Sequence, residues 1–482
     1  TFLDVKRYSN KMANVFREYG IGRGDRVMLV LKRHYEYWFA AVALHKLGAV
    51  MIPATHMLTV DDFVYRINAS GVKAIVCTAQ DDVPSTIKQA LRKSEKTPRL
   101  WCVQKDVEGF FNLTSQMETA GDAFDRVETS AADPMMLYFT SGTTGYPKGV
   151  IHDFTYPLAH IVTAKYWQQA QDDGLHFTVA ETGWAKASWG KIYGQWLIGS
   201  AVMIYDFDNF DPKQLVTVIN RYGVTSFCAP PTVYRYLVRK GIESMPTLKH
   251  ASTAGEMLAP EVFRKFTQET GIPLCEGYGQ TETTLLMANF KGRQPKEGAM
   301  GTVSPFYNIE LRDKDGKQVP DGQIGEVVII PPASGKQAGV FTGYLDNEEQ
   351  YKYVWRGGVY HTGDAAYRDS DGLYWFHGRF DDIIKTGGFR VGPYEIENVL
   401  MEHPAVVECS VIGVPDKLRG QAIKAVIVPG HGYEPTRELE LAIKEFCNRR
   451  LAEYKWVRLV EFVSAMPKTI SGKIKKTELR KG

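Results

Sequence analysis

The sequence predicts an α/β protein with a large N-terminal domain of parallel-rich sheets covered by helices and a small α+β C-terminal domain. Three observations support this prediction. Apolar runs of strand length alternate with amphipathic stretches of helix length over the first 240 residues, as expected for parallel sheets with helices on both faces. From about Gly301 the pattern changes to short strands with Asp-Gly turns, which predicts a small β-rich subdomain. A further α+β stretch follows residue 380.

The first 78 residues show the alternation most simply. Apolar side chains at Val5, Tyr8, Met12 and Val15 recur at helical spacing, and Gly20 ends that stretch. The predicted helices cover residues 5–19, 37–47 and 61–69, and the predicted strands cover residues 26–31, 49–53 and 73–78.

Residues 138–150, YFTSGTTGYPKGV, are the most distinctive stretch of the chain. Glycines allow the backbone to approach a ligand closely, hydroxyl groups add donors, and Lys148 adds a positive charge. The stretch is not a Walker A loop, because Lys148 is followed by Gly149 rather than Ser or Thr. It follows a predicted buried strand over residues 135–139, which favours a polyphosphate-binding loop over a flexible surface loop, the alternative reading.

The remaining elements divide the chain into domains. Strands are predicted over residues 201–205, 226–229, 406–414, 423–429 and 458–463, and helices over residues 211–222, 231–240 and 436–451. Residues 378–382 are the best linker candidate, so we predict an N-terminal domain over residues 1–380, with the β-rich subdomain at about 300–380, and a C-terminal domain over residues 381–482.

Composition excludes several classes of protein. A net charge of +3 over 482 residues gives no reason to expect a nucleic-acid partner. Six scattered cysteines without a CxxC pair argue against a disulfide framework or a zinc site and favour a reducing compartment. No apolar run reaches the ~18 residues of a membrane span. We therefore expect a cytoplasmic protein, with an organelle as the alternative if a leading segment precedes Thr1.

Five further stretches carry chemically suggestive side chains. They are residues 252–258 (STAGEML), 278–283 (YGQTET), 360–364 (YHTGD), 378–390 (GRFDDIIKTGGFR) and 467–473 (PKTISGK). Taken singly, each has an ordinary explanation. The first two could cap helices, the third could be a turn, the fourth a charged linker and the fifth a solvated tail.

Together with residues 138–150, these stretches resemble, in the same order, the motifs of the adenylate-forming enzymes. That superfamily contains acyl-CoA synthetases, luciferases and peptide-synthetase adenylation domains. The resemblance covers essentially the whole chain. Residues 401–408 (MEHPAVVE) and 278–283 are most similar to medium-chain acyl-CoA synthetases.

The resemblance assigns roles to residues. It implies phosphate contacts from Thr140, Ser141, Gly142, Thr143, Thr144, Gly145, Lys148, Thr281 and Arg390. It implies adenine contacts from Gly255, Glu256, Met257, Glu276, Gly277 and Tyr278, and ribose contacts from Asp364 and Arg379. It implies that Lys473 and Glu282 are catalytic and that Glu282 holds Mg²⁺. It also implies that the C-terminal domain is mobile about a hinge at Asp381, and that Gly387 and Gly388 line the coenzyme A channel.

The acyl pocket is expected at Trp184 and Gly279. The family's acetate enzymes carry a Trp where this chain has Gly279, so the glycine predicts room for a medium-chain, branched or aromatic acid. Two alternatives stay open: Trp184 as a core tryptophan, and Gly279 as a residue needed only for its backbone. The chain also departs from the family's Asp-x-Gly-Trp run with Glu181-Thr-Gly-Trp184, which leaves the role of the acidic position open.

The implied reaction has two steps. A carboxylate attacks the α-phosphate of ATP to give an acyl adenylate and pyrophosphate, and coenzyme A then displaces AMP. The implied partners are the acid, ATP and coenzyme A, and a homodimer is left open. The alternatives are a stand-alone adenylation domain for an amino or aryl acid and a non-catalytic nucleotide-binding relative.

Overall fold

The computed structural model describes residues 1–140, 147–256, 258–387, 389–468 and 474–480. The chain forms two compact units. The first comprises residues 1–140, 148–306 and 332–353, and the second includes residues 307–331 and those from 354 onward. No helix in the described part of the chain is long and apolar enough to cross a membrane.

Helices and strands are interspersed along the chain up to residue 303. The helices are α1 (Phe2–Glu18), α2 (Glu36–Lys46), α3 (Val60–Ser70), α4 (Val83–Leu91), α5 (Leu113–Thr119), α6 (Tyr156–Val162), α7 (Ala185–Lys191), α8 (Tyr193–Leu197), α9 (Pro212–Tyr222), α10 (Pro231–Lys240) and α11 (Pro260–Thr270). The strands are β1 (Arg26–Val30), β2 (Val50–Pro53), β3 (Ala74–Thr78), β4 (Arg99–Val103), β5 (Phe111–Asn112), β6 (Pro134–Thr140), β7 (Lys148–Asp153), β8 (Leu175–Thr178), β9 (Ala201–Met203), β10 (Ser226–Ala229), β11 (His250–Ala254), β12 (Leu274–Gly279), β13 (Leu285–Ala288) and β14 (Thr302–Val303).

The rest of the chain is richer in strands. The strands are β15 (Asn308–Arg312), β16 (Gly325–Ile330), β17 (Gly343–Tyr344), β18 (Tyr360–Arg368), β19 (Tyr374–Arg379), β20 (Ile384–Thr386), β21 (Phe389–Val391), β22 (Val406–Asp416), β23 (Gly420–Pro429) and β24 (Leu459–Phe462). The helices are α12 (Glu348–Val354), α13 (Pro393–Met401), α14 (Arg437–Asn448) and α15 (Lys476–Leu479).

Two sheets organise the first unit. One has the strand order β17-β7-β6-β2-β1-β3-β4-β5, and the other has the order β14-β13-β12-β11-β10-β8-β9. The interior strands pair in parallel, whereas β7 and β17 of the first sheet and β13 and β14 of the second add antiparallel edges. Strands β2, β3 and β10 are buried along their whole length, which explains their nearly continuous apolar sequences.

Two smaller sheets organise the second unit. Strands β15-β16-β18-β19 form an antiparallel sheet, and β21-β20-β23-β22, with β24 beside β23, forms the other. Helices α13 and α14 contribute Ile396, Leu400 and Ile443 to the core over the last sheet. The predicted α/β class, with parallel-rich sheets, a β-rich region and a C-terminal α+β part, is confirmed.

The predicted linker forms regular structure. Gly378 and Arg379 end β19, and Phe380–Asp382 forms a short 3₁₀ turn. The boundary at residues 380 and 381 therefore stays a prediction. The predicted strand over residues 201–205 is shorter than expected, and the predicted helix over residues 436–451 ends at Asn448.

Candidate active site

The predicted phosphate loop joins two antiparallel strands. Strand β6 ends at Thr140, β7 begins at Lys148, and these two residues are cross-strand partners. Ser141, Gly142, Thr143, Thr144 and Gly145 lie outside the described residues. A Cβ atom on Gly149 would lie 2.8 Å from Leu345 Cβ, so only glycine fits beside Lys148. The hairpin thus fixes the position of Lys148 at the end of the loop.

The predicted metal ligand lies in a turn that joins β12 to β13. Gln280 N donates to Thr283 Oγ1 over 3.1 Å, and Thr283 N donates back to Gln280 O over 3.2 Å. This segment is a hairpin turn and not a helix cap. His152 on β7 donates from Nε2 to the carbonyl oxygen of Thr281 over 2.7 Å. Burial lowers the pKa of His152 to about 4, so its ring is neutral at pH 7.

Tyr344 links this turn to the β6–β7 hairpin that carries the predicted phosphate loop, which we call the phosphate hairpin. Its hydroxyl donates to Glu282 Oε1 over 2.9 Å, and its ring centroid lies 5.5 Å from Lys148 Nζ. The carboxylate that could hold a cation and the lysine that could reach phosphates therefore share one neighbour. No cluster of three or more His, Cys, Asp or Glu side chains suited to a metal occurs among the residues that the structure describes. A single protein ligand, Glu282, is compatible with Mg²⁺, because this ion can take its other ligands from ATP and water.

The predicted adenine-binding residues lie at the ends of β11 and β12. Gly255 has φ +99°, a conformation that favours glycine, and Glu256 accepts a hydrogen bond of 2.8 Å from Thr232 Oγ1. Gly277 and Tyr278 continue β12. Met257 lies outside the described residues. Burial raises the pKa of Glu276 to about 8, although a backbone hydrogen bond from Leu258 opposes this shift, so Glu276 is largely protonated at pH 7.

The predicted ribose-binding residues are partners in the second unit. Asp364 on β18 lies opposite Arg379 on β19, and Arg379 Nη1 donates to Asp364 Oδ1 over 3.2 Å. Arg379 also donates to Thr362 O over 3.0 Å. Gly363 has φ +70°, and a Cβ atom there would overlap the Arg379 guanidinium. The Thr-Gly-Asp sequence is therefore part of a strand that holds an acid beside an arginine.

The other predicted residues of the second unit are described in part. Asp381 is exposed within the 3₁₀ turn, and its neighbour Asp382 forms an ion pair with Arg480. Gly387 has φ +56° at the end of the β20–β21 hairpin. Gly388, Lys473 and the side chain of Arg390 lie outside the described residues.

The Glu181-Thr-Gly-Trp184 segment has a structural explanation for its acid. Glu181 is buried and accepts a hydrogen bond of 2.9 Å from the backbone N–H of Gly183, and its Oε1 lies 3.5 Å from His56 Nδ1. A Cβ atom on Gly183 would overlap the backbone of Thr55. Trp184 follows as the first residue before α7 and is partly exposed. The glutamate thus holds the loop that presents Trp184.

Gly279 has a backbone reason to be glycine. A Cβ atom there would overlap the carbonyl oxygen of Thr284, in the hairpin that carries Glu282. Its neighbour Gly277 instead lies against an aromatic ring, because a Cβ atom on Gly277 would come 2.7 Å from Trp167 Cε2. The role of Gly279 in an acyl pocket stays a prediction.

The sequence predicted no role for Trp167, Lys186 or Trp189, which lie near Gly255 and Gly277. Trp167 ends a short π-helix, Thr163–Trp167, and its ring centroid lies 6.0 Å from that of Trp189. Lys186 on α7 donates to the carbonyl oxygen of Ala254, next to Gly255, and burial lowers the pKa of Lys186. A π-helix has no sequence signature, although the Trp-rich run from 184 to 189 was a usable signal.

Comparison with protein-family models identifies the family. The model described as AMP-binding enzyme matches residues 1–345, and that described as AMP-binding enzyme C-terminal domain matches residues 395–473. The chain belongs to the AMP-binding enzyme family. It is an AMP-forming acid–thiol ligase, as the sequence predicted.

Relatives and solved structures agree with this membership. The human mitochondrial acyl-coenzyme A synthetase ACSM3 is 38% identical over all of this chain and 83% of its own length. An anthranilate CoA ligase crystallised with anthranoyl-AMP is 26% identical, with a TM-score of 0.88 over all of this chain and 92% of its own. A Brucella canis acyl-CoA synthetase is 30% identical, with a TM-score of 0.74 over 100% and 88% of the two chains. The predicted similarity to medium-chain acyl-CoA synthetases is confirmed.

Proposed function

We propose that this AMP-binding enzyme converts a medium-chain, branched or aromatic carboxylic acid, with ATP and coenzyme A, to acyl-CoA, AMP and pyrophosphate. The observation that carries the proposal is the contact of Tyr344 with both Lys148 and Glu282, at the end of the predicted phosphate loop. The names of the acyl-CoA synthetase relatives support the thioester product.

Charge is the main requirement of the first step, because the acid and ATP are both anions. Lys148 and, by its motif, Lys473 would place positive charge beside the phosphates, where negative charge accumulates as the carboxylate attacks. Mg²⁺ held by Glu282 would neutralise part of the polyphosphate charge. Asp364 and Arg379 would hold the ribose, and the segments ending at Gly255 and Tyr278 would hold adenine.

The second step requires a thiol to reach the acyl carbonyl. The sulfur would attack that carbon, lose its proton to water and form the thioester. The bond from the acyl carbon to the bridging oxygen would break, and AMP would leave with that oxygen. We propose that the C-terminal domain rotates about Asp381 between the steps, so that Lys473 leaves and Gly387 and Gly388 line the passage for coenzyme A.

Aromatic side chains support the choice of acid. Trp167, Trp189 and Leu285 belong to one apolar cluster, and Gly277 lies against Trp167. We propose that Trp184 and Gly279 complete the acyl pocket. Lys186 lies beside one of these rings, with its Nζ 6.0 Å from the Trp189 ring centroid. A cationic side chain there disfavours the α-ammonium group of an amino acid substrate. The relative named anthranilate CoA ligase acts on an aromatic acid, which agrees with this choice.

We also propose a location and an oligomeric state for the protein. The ACSM3 relatives are named as mitochondrial proteins, which favours the organellar alternative over the cytoplasm. The homodimer stays a prediction. Localisation of the tagged full-length protein and light scattering of the purified enzyme test these two points.

Pyrophosphate release tests the proposed function. The enzyme is assayed with ATP, Mg²⁺ and acids from acetate to decanoate, with benzoate and with amino acids, each with and without coenzyme A. We expect acid-dependent pyrophosphate release that turns over only with coenzyme A and is fastest with medium-chain or aromatic acids. Acid-independent release, or a preference for amino acids without need of coenzyme A, would contradict the proposal.

A further inference from the structure

Tyr344 lies between the two segments that carry Lys148 and Glu282. It belongs to β17, which pairs with β7 so that Tyr344 lies opposite Val150. The next residue, Leu345, donates its N–H to Gly149 O over 2.8 Å, and Phe341 donates its N–H to Glu282 O over 2.8 Å. Backbone hydrogen bonds thus tie the strand both to the phosphate hairpin and to the Glu282 turn.

Different parts of the Tyr344 side chain contact the Glu282 carboxylate and the Lys148 ammonium group. Its hydroxyl donates to the Glu282 carboxylate over 2.9 Å, and its ring faces Lys148 Nζ at 5.5 Å. The ring is also packed on Phe341, at 4.7 Å between centroids, and the residue is only 8% exposed. A buried phenol in this position cannot rotate away without losing these contacts.

The chemistry suggests why a tyrosine is useful here. A lysine and a carboxylate that pair with each other neutralise the charges that metal-bound ATP needs. A phenol can hydrogen-bond the carboxylate, and its π-face can attract the ammonium group without neutralising it. Each ionic group then keeps its charge for the nucleotide.

We propose that Tyr344 is a positioning residue that holds Glu282 and Lys148 ready for metal-bound ATP. The proposal rests on the function proposed above. The contacts of Tyr344 with Glu282 and with Lys148 lead to separate predictions. The hydroxyl should matter for ATP with Mg²⁺, since it orients the carboxylate, whereas the ring should matter for ATP with or without the metal, since it orients the lysine.

Titration calorimetry with whole enzyme variants tests the proposal. Tyr344→Phe keeps the ring and removes the hydroxyl, and Tyr344→Leu removes both. Tyr222→Phe, at a tyrosine 53% exposed on α9, is the matched control. Binding of ATP is measured with Mg²⁺ and with EDTA, and thermal unfolding verifies that each variant is folded.

We expect Tyr344→Phe to weaken binding of ATP with Mg²⁺ about tenfold, the usual effect of losing a hydrogen bond to a charged group, and to leave binding in EDTA unchanged. Tyr344→Leu should weaken both, and the control neither. Tyr344→Phe binding equal to wild type in Mg²⁺, or an equal loss in both conditions, would overturn the proposal. If Tyr344→Phe fails to fold, Tyr344→Leu must weaken binding of ATP more strongly with Mg²⁺ than with EDTA, because it also removes the hydroxyl that orients the carboxylate.

Acid-dependent pyrophosphate release by the wild-type enzyme, measured in parallel, separates the two claims. Normal release with a Tyr344→Phe variant indistinguishable from wild type refutes only the role of Tyr344. No release, together with no binding of ATP in either condition, refutes the proposed function and the inference with it.

Discussion

The methyl group added by Gly279→Ala distinguishes the two interpretations of Gly279, as a residue needed for its backbone or as part of an acyl pocket. A Cβ atom there would overlap the Thr284 carbonyl oxygen, so Gly279→Ala must displace the hairpin that carries Glu282. We expect the variant to lose kcat/KM about equally for short and long acids, because the hairpin serves ATP and not the acyl chain. An acid series assayed with Gly279→Ala and with Gly22→Ala, where the added Cβ is 4.0 Å from its nearest neighbour, checks this. Selective loss of long acids would instead favour a role confined to pocket volume.

The protonated carboxyl of Glu276 predicts a pH-dependent stability. The pKa of Glu276 is about 8 in the fold and about 4.3 in the unfolded chain. At a pH between these two values, the folded state therefore keeps a proton that the unfolded state has lost. Stability contributed by this group is therefore present below about pH 4 and falls as pH rises to 8. We expect Glu276→Gln to raise the melting temperature relative to wild type by an amount that grows from pH 5 to pH 8. A difference that is constant with pH would contradict the shifted pKa.

Individual elements show what the sequence could predict and what it could not. Strand β10 (Ser226–Ala229) and helix α10 (Pro231–Lys240) have the predicted bounds, because an apolar run and an amphipathic run with an initial proline are local signals. The antiparallel pairing of β6 with β7 was not predicted, since partners in a sheet depend on contacts distant in sequence.

Side-chain contacts show the same difference between local signals, which the sequence predicts, and contacts between residues distant in sequence, which it does not. Motif spelling pointed to Lys148 and Glu282, but nothing in the sequence connected them to Tyr344, which lies 62 residues beyond Glu282. The sequence also offered a helix cap as the alternative for residues 278–283. The hairpin excludes it, because strand β13 follows the turn.

The 3₁₀ turn Phe380–Asp382 is the element on which the proposed rotation depends. Proline fixes φ near about −65°, so Asp381→Pro should keep the domain in one arrangement. We expect adenylate formation to continue while transfer to coenzyme A falls. Pyrophosphate release in a single turnover and thioester formation from supplied acyl adenylate measure the two steps separately.

Asp381→Ala is the matched control for that experiment, since it removes the same carboxylate and leaves φ free. It should keep both steps. Normal rates for both steps in Asp381→Pro would place the hinge elsewhere, and loss of both steps in Asp381→Ala would indicate a different role for the side chain.

Buried histidines give the first unit a common response to acid. Burial lowers the pKa of His152 and His250 to about 4, of His176 to about 3, and of His160 well below its ordinary value. The unfolded chain binds a proton at each near pH 6.5, so the unfolded state gains protons first as pH falls. Each histidine should cost up to about 1.4 kcal/mol of stability per pH unit between about pH 6.5 and its lowered pKa in the fold.

Melting temperature measured from pH 7.5 to pH 4.5 checks this response. We expect a steep decrease below pH 6.5, and the same decrease in His431→Gln, which changes an exposed histidine. A melting temperature that is flat down to pH 5 would show that these rings are charged in the fold.

The fate of the carboxylate oxygen tests the central claim most directly. Octanoate labelled with ¹⁸O in both carboxyl oxygens is incubated with the enzyme, ATP, Mg²⁺ and coenzyme A, and the products are analysed by mass spectrometry. If the carboxylate attacks the α-phosphate and coenzyme A then displaces AMP, one ¹⁸O atom per turnover must appear in AMP and none in pyrophosphate. Label in inorganic phosphate or pyrophosphate, or unlabelled AMP formed together with acyl-CoA, would contradict the account.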